Sequence, residues 1–173
     1  AEKHYGEGEG TGEKILNPVT QIYLEEGAVF TLDTAQIGGV DSTVRKTEVY
    51  MEADSKLYVM EKLMTHDSQT AVSDMTVEMN GAGSSAQIVS RSVAKGNSVQ
   101  TFHPIAIGNA LCHAHVQCDS IIMDKAQISS IPEINARDID AQIIHEAAIG
   151  RINNEQILKL RTLGLTEEEA EKK

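Results

Sequence analysis

Aromatic residues are scarce in this chain: four Tyr, two Phe and no Trp among 173 residues. A core must therefore be filled by Val, Ile, Leu, Met and Ala, which suits regularly stacked layers better than an irregular globule. Cysteine is nearly absent. Cys112 and Cys118 are the only two, too few for a small secreted scaffold held by disulfides. Basic residues number 15 against 26 acidic ones, for a formal charge of −11. Such a surface repels phosphate backbones and anionic lipid, so neither nucleic acid nor a membrane is an expected partner. No apolar run approaches the roughly 20 residues of a membrane-spanning helix. The opening stretch AEKHYGEGEGTGEK lacks the apolar segment of a secretory signal, so a cytoplasmic location is the expectation. No glycine-rich phosphate loop of either nucleotide-binding type is present, so any ATP chemistry must come from a partner.

What the chain does have is a uniform β texture. The length suits one domain with a real core. Residues 1–14 alternate Gly with Glu without a hydrophobic period and are expected to form a flexible lead-in. From residue 15 to 150 short alternating segments recur: Thr43 to Met51, Lys56 to Met60, Ala71 to Met79, Ala86 to Val93, Ser98 to Ile105, Ala114 to Ile122 and Ala141 to His145. Each is rich in β-branched residues at period two. Turn signals separate them, among them Gly38-Gly39, Asn80-Gly81-Ala82-Gly83, Lys95-Gly96-Asn97 and Gly108-Asn109. Strand starts fall roughly 12 to 15 residues apart with no helical pattern between them, which fits an antiparallel sandwich or a solenoid of stacked parallel strands. Tight hairpin signals are limited to Asn80-Gly81, and with the aliphatic alternation this favours the solenoid.

After Gly150 the texture changes, and residues 151–173 are expected to form a short helical segment. Asn153 with Gln156 makes a start like a capping box, and Ile157, Leu160 and Leu163 fall on roughly one face between Asn154 and Leu163. Gly164 closes that helix, and Thr166 with Glu169 opens another.

Three stretches from Cys118 to Ala170 resemble one protein family. Gln117-Cys118-Asp119-Ser120-Ile121-Ile122 is similar to its "CDS" strand. Ile144-His145-Glu146-Ala147-Ala148-Ile149-Gly150 is similar to its "HEA" or "HGA" segment. Asn154-Glu155-Gln156-Ile157-Leu158, continuing through Leu163-Gly164-Leu165-Thr166-Glu167-Glu168-Glu169-Ala170, looks like its "EEQLFYLxxRGLxxEEA" ending. Pro132 lies at about the expected place between the first two. The sequence thereby resembles the SufB/SufD family. The resemblance implies a right-handed parallel β-helix followed by terminal helices, two subunits associated through their β-helices, and an ABC-type ATPase docked on the helical ends. It further implies a scaffold, not an enzyme, on which a transient iron–sulfur cluster forms where a cysteine of one subunit meets a histidine of the other, to be passed to apoprotein acceptors. Cys118 matches that cysteine, His145 matches that histidine, and Glu146 follows His145 as in B-type members. A homodimer, or a pair with another SufB/SufD-type subunit, would complete each site.

Thiolate, imidazole and carboxylate all bind iron, so Cys118, His145 and Glu146 make a chemically sensible ligand set, with few enough thiolates to release a cluster. Against this, Cys118 shares its strand face with Ala114, Val116 and Ile122, where a buried cysteine can equally be inert packing. His145 shares a face with Ala141 and Ile143 while Glu146 points the other way, so the two cannot chelate one iron side by side from a regular strand. Cys112-His113-Ala114-His115-Val116-Gln117-Cys118 is the densest metal-like cluster. Its histidines alternate to the face opposite its cysteines, and no second knuckle completes a zinc site. His103 before Pro104 is expected at a strand end. His66-Asp67-Ser68 are adjacent in sequence and cannot form a separated catalytic triad.

The sequence also departs from the family. Asn135-Ala136-Arg137 offers no cysteine after the Pro132 region, Lys159-Leu160 replaces an aromatic pair, and the last helix stops at Lys173, so weak or absent ATPase docking is expected. The alternatives are a structural β-helical paralogue that binds no metal itself, or an enzyme such as a β-helical acyltransferase or carbohydrate-active protein. Neither a strict hexapeptide repeat nor an acidic cleft with aromatic platforms is visible.

Overall fold

The computed structural model describes residues 1–4 and 10–152. The strands are β1 (Glu2–His4), β2 (Ile15–Leu16), β3 (Val19–Leu24), β4 (Val29–Ile37), β5 (Ser42–Met51), β6 (Lys56–Thr65), β7 (Thr70–Met79), β8 (Ser84–Ala94), β9 (Val99–Gly108), β10 (Cys112–Ile122), β11 (Gln127–Ser130), β12 (Glu133–Ala136) and β13 (Gln142–Arg151). From β4 to β11 the strands alternate between two sheets; β12 stays in the second and β13 returns to the first. The first runs β1-β4-β6-β8-β10-β13; the second runs from β2 and β3 through β5, β7 and β9 to β11 and β12. Every pairing is parallel. This is the β-solenoid expected from the alternation and the scarcity of hairpin signals. The expected C-terminal helical segment, apart from Arg151 and Ile152, lies outside the described residues. Within the expected lead-in, β1 already pairs with β4.

One coil takes two strands. Val29, Lys56, Ser85, His113 and Gln142 share a row of the first sheet, so successive coils advance by 27, 29, 28 and 29 residues. Corners repeat with the coils. Asp67, Gly96 and Asp124 take positive φ at 51°, 67° and 54°, and the amides of Asn97 and Lys125 donate to the carbonyls of Asp67 and Gly96 one coil away. Aspartate and glycine tolerate this left-handed backbone, which explains why those residues punctuate the strands. Asn80-Gly81 marks a corner between the two sheets, not a hairpin. Asn109 donates to the Asn80 side chain at 2.7 Å, and Arg137 donates to Asn109 at 3.2 Å, making a ladder up one edge.

Interior rows stack like on like. Val59, Ile88 and Val116 form one row, Val49, Val77 and Ala106 another. Met51, Met75 and Met79 are fully buried, filling with flexible thioethers the space that aromatic rings would otherwise take. The C-terminal halves of the first-sheet strands turn polar inside: Thr34, Glu61, Ser90 and Ser92 are all buried.

One expectation is corrected. His103 and Pro104 lie mid-strand in β9, and Pro104 is buried. Proline cannot donate a ladder bond, and the neighbouring side is interrupted there: β11 pairs as far as Phe102 and β12 resumes at Ile105. The gap in the partner strand accommodates the missing N–H.

Candidate metal centre on the last rung

Alternation along β10 turns Cys112, Ala114, Val116, Cys118 and Ser120 inward and leaves His113, His115, Gln117 and Asp119 toward the outer face. The dense Cys/His cluster is thus split between two faces, as its spacing required. Cys112 packs where a Cβ on Gly108 would come within 2.9 Å of its Sγ. Burial pushes the Cys112 thiol up, with the Asp138 charge adding to it, so that residue is a packing thiol and not a reactive one.

Cys118 is 1% exposed. It closes an inward row formed by Thr34, Glu61, Ser90 and Cys118, continued on β13 by Ala147. Its Sγ lies 3.5 Å from the Ser120 hydroxyl, which meets Ser92 at 2.9 Å. Farther down, the Glu61 carboxylate accepts from Ser73 at 2.8 Å and Ser90 at 3.3 Å. Burial holds the Glu61 carboxyl above the usual range, against the opposing pull of the Ser73 hydroxyl, Arg45 and Ser90. Glu61 and these serines were not singled out from the sequence; serines at inward parity in β8 (Ser84, Ser90, Ser92) were the available signal.

On β13, His145 faces inward opposite Val116, and Ala147 faces inward opposite Cys118. His145 and Cys118 therefore stand on the same inner surface, one strand and two residues apart, about 8 Å between Cα atoms by ordinary strand spacings. The His145 Nε2 is shielded from solvent and has no hydrogen-bond partner. Burial lowers the His145 pKa, keeping the ring neutral near pH 7 with a lone pair available to a metal. Glu146 points the other way and places a carboxylate oxygen 3.4 Å from His115 Nε2. Among the described residues, no three His, Cys, Asp or Glu side chains gather as a metal-binding group within one chain.

The structure thus defines a class: an all-parallel β-helix whose last two described strands of the first sheet carry a cysteine and a histidine on one inner surface. Comparison with known proteins narrows it. The family described as SUF system FeS cluster assembly, SufBD core domain, matches residues 12–172. An iron-sulfur cluster assembly SufBD family protein of Methanocaldococcus jannaschii is 29% identical over 167 residues, covering 92% of this chain and 51% of that protein. One from Archaeoglobus fulgidus is 29% identical over 161 residues, 90% of this chain and 42% of that one. Another from Pyrococcus horikoshii is 31% identical over 169 residues, 93% of this chain and 50% of that one. The chain belongs to the SufBD family of iron–sulfur cluster assembly. It spans about half the length of these curated relatives.

Proposed function

We propose that this chain is a scaffold subunit on which a nascent iron–sulfur cluster, the cargo of the process, is held between two chains and passed to apoproteins. The observation that carries this reading is the joint inward placement of Cys118 and His145 beside the final edge of the first sheet. Beyond β13 no further strand joins that sheet among the described residues. An open edge with unpaired backbone groups favours strand-to-strand pairing with a second chain. Exposed apolar residues of the last coil support the same pairing: Ile144 and Ile149 on β13, and Ile131 and Ile134 at the end of the second sheet, are each at least 41% exposed. In such a pair Cys118 of one chain and His145 of the other supply a thiolate and an imidazole, while Glu146, on the outer face, offers a carboxylate to iron arriving at the rim. A set so poor in thiolates holds a cluster loosely enough to release it. Any ATP-dependent step falls to a partner, since the sequence carries no glycine-rich phosphate loop.

Native mass spectrometry after anaerobic reconstitution tests the shared site. Pairs carrying iron and sulfide, with monomers carrying neither, are expected. A monomer holding a complete cluster overturns the shared site. The near-complete burial of Cys118 favours a second reading, in which the chain is a structural paralogue and its partner carries the metal; for that reading, substituting Cys118 leaves every cluster measurement unchanged.

A further inference from the structure

Two hydroxyls stand behind Cys118 on the inner surface. Along β10 the residue after next, Ser120, faces inward with it, and register places Ser92 of β8 beside Ser120. All three are buried: Cys118 is 1%, Ser120 4% and Ser92 8% exposed. The Ser120 oxygen lies 3.5 Å from the Cys118 sulfur and 2.9 Å from the Ser92 oxygen, so the three groups form a chain. Asp119, between Cys118 and Ser120, points outward, where it meets Gln117 at 2.8 Å and Arg91 at 3.8 Å. That outer anchoring holds the parity of the strand, and with it the joint inward placement of Cys118 and Ser120.

The neighbouring strands leave the sulfur to Ser120. Ser90, beside Cys118 in register, gives its hydroxyl proton to Glu61 at 3.3 Å. On the other side Cys118 and Ser120 adjoin Ala147 and Ile149, whose side chains carry no hydrogen-bonding group. Each serine has one proton to donate. While the sulfur is a thiol, the chain can run in either direction. A metal-bound sulfur carries no proton, and then one order alone makes both bonds: Ser92 donates to Ser120, and Ser120 donates to the sulfur.

We propose, on the scaffold reading above, that Ser120 is a positioning residue for the Cys118 ligand, its O–H held by Ser92 and aimed at the metal-bound sulfur, and that this bond tunes the reduction potential of the cluster. A hydrogen bond to a ligating sulfur draws charge from it and favours the reduced cluster. As the iron–sulfur bond forms, the S–H bond of Cys118 breaks and its proton passes to water; neither serine gains or loses one.

The test is a redox titration of the anaerobically reconstituted full chain, comparing the wild type with Ser120→Ala, Ser120→Thr and Ser92→Ala. Visible absorption follows reduction, expressed per bound cluster. At a fixed solution potential near the wild-type midpoint, the ratio of reduced to oxidised cluster is expected to fall about two- to tenfold in Ser120→Ala, as for the loss of one hydrogen bond. It should fall in the same direction in Ser92→Ala and return in Ser120→Thr, which keeps the hydroxyl. Lower cluster occupancy at an unchanged potential marks Ser120 as packing alone and overturns the proposal. Ser92→Ala keeps the test decisive should Ser120→Ala fail to fold, and an unmoved potential there overturns the chain of donors. A wild type that takes up no cluster overturns the scaffold reading and this proposal together, whereas a wild-type cluster whose potential the variants leave unmoved overturns this proposal alone.

Discussion

Mixing two defective chains separates a site shared between chains from one built within a single chain. Cys118→Ser removes the thiolate and His145→Ala removes the imidazole, each on an inward position of an adjacent strand. If each cluster takes its cysteine from one chain and its histidine from the other, a pair of Cys118→Ser chains has no complete site, and neither has a pair of His145→Ala chains. A mixed pair is different. One of its two sites combines the intact Cys118 of the second chain with the intact His145 of the first; the other lacks both. Two-fold symmetry then fixes the magnitude at about half the wild-type iron and sulfide per pair. The assay is co-expression with two affinity tags, isolation of the mixed pair, anaerobic reconstitution, and iron and acid-labile sulfide determination beside each variant alone. Recovery to about half, with both single variants near background, is the expected result. A mixed pair no better than its parents refutes sharing. The two residues also lie on one inner surface of one chain about 8 Å apart by strand spacing, so a site within one chain is the competing geometry, and it yields no recovery.

Two stability predictions rest on geometry away from that site. A Cβ at Gly81 would sit 1.9 Å from the Ala53 backbone nitrogen and 2.3 Å from the Glu52 carbonyl carbon, so the corner backbone must move; Gly81→Ala is expected to cost about 1–3 kcal/mol in urea unfolding, and an unchanged midpoint would contradict the close packing of successive coils. His103 lies 2.9 Å from Glu133 and 3.3 Å from Asp74, bridging β9 to the terminal strand β12 and to β7. The Glu133 hydrogen bond raises its pKa above the ordinary 6.5; burial opposes this, and Asp74 adds to the rise. Its contribution is therefore fully present below about pH 6.5 and fades as the pH rises through the raised value, amounting to no more than about 1 kcal/mol because the groups are partly exposed. His103→Gln should flatten that part of the stability–pH curve, and an unaltered curve would show that the bridge contributes nothing.

The strands that sequence alternation revealed are those with apolar inward positions, such as β7 with Ala71, Met75, Val77 and Met79. β4 escaped because its inward positions change from Phe30 and Leu32 to Thr34 and Gln36 halfway along, which erases an apolar period of two. β11 and β12 escaped because they are four residues each and lack a fully buried face. The corner role of Asn80-Gly81 could not be told from a hairpin, since both use the same residues and only the neighbouring coil distinguishes them. For the candidate site, parity along β10 and β13 already separated Glu146 from His145 and the two cysteines from His113 and His115. What parity cannot supply is register between strands. The pairing of Val116 with His145 and of Cys118 with Ala147 depends on a coil of 29 residues at that point, and coil length varies between 27 and 29 along the solenoid. The polar row below Cys118 emerges only from that register.

The most direct test of the scaffold account is the iron and acid-labile sulfide content of the wild-type protein and Cys118→Ser after side-by-side anaerobic reconstitution. The account expects both elements bound to the wild type and lost from the variant, while the variant keeps its β-rich circular dichroism. Equal iron and sulfide in the two proteins would contradict the assignment of Cys118. Their absence from both would mean that this chain keeps the family fold without carrying the cluster.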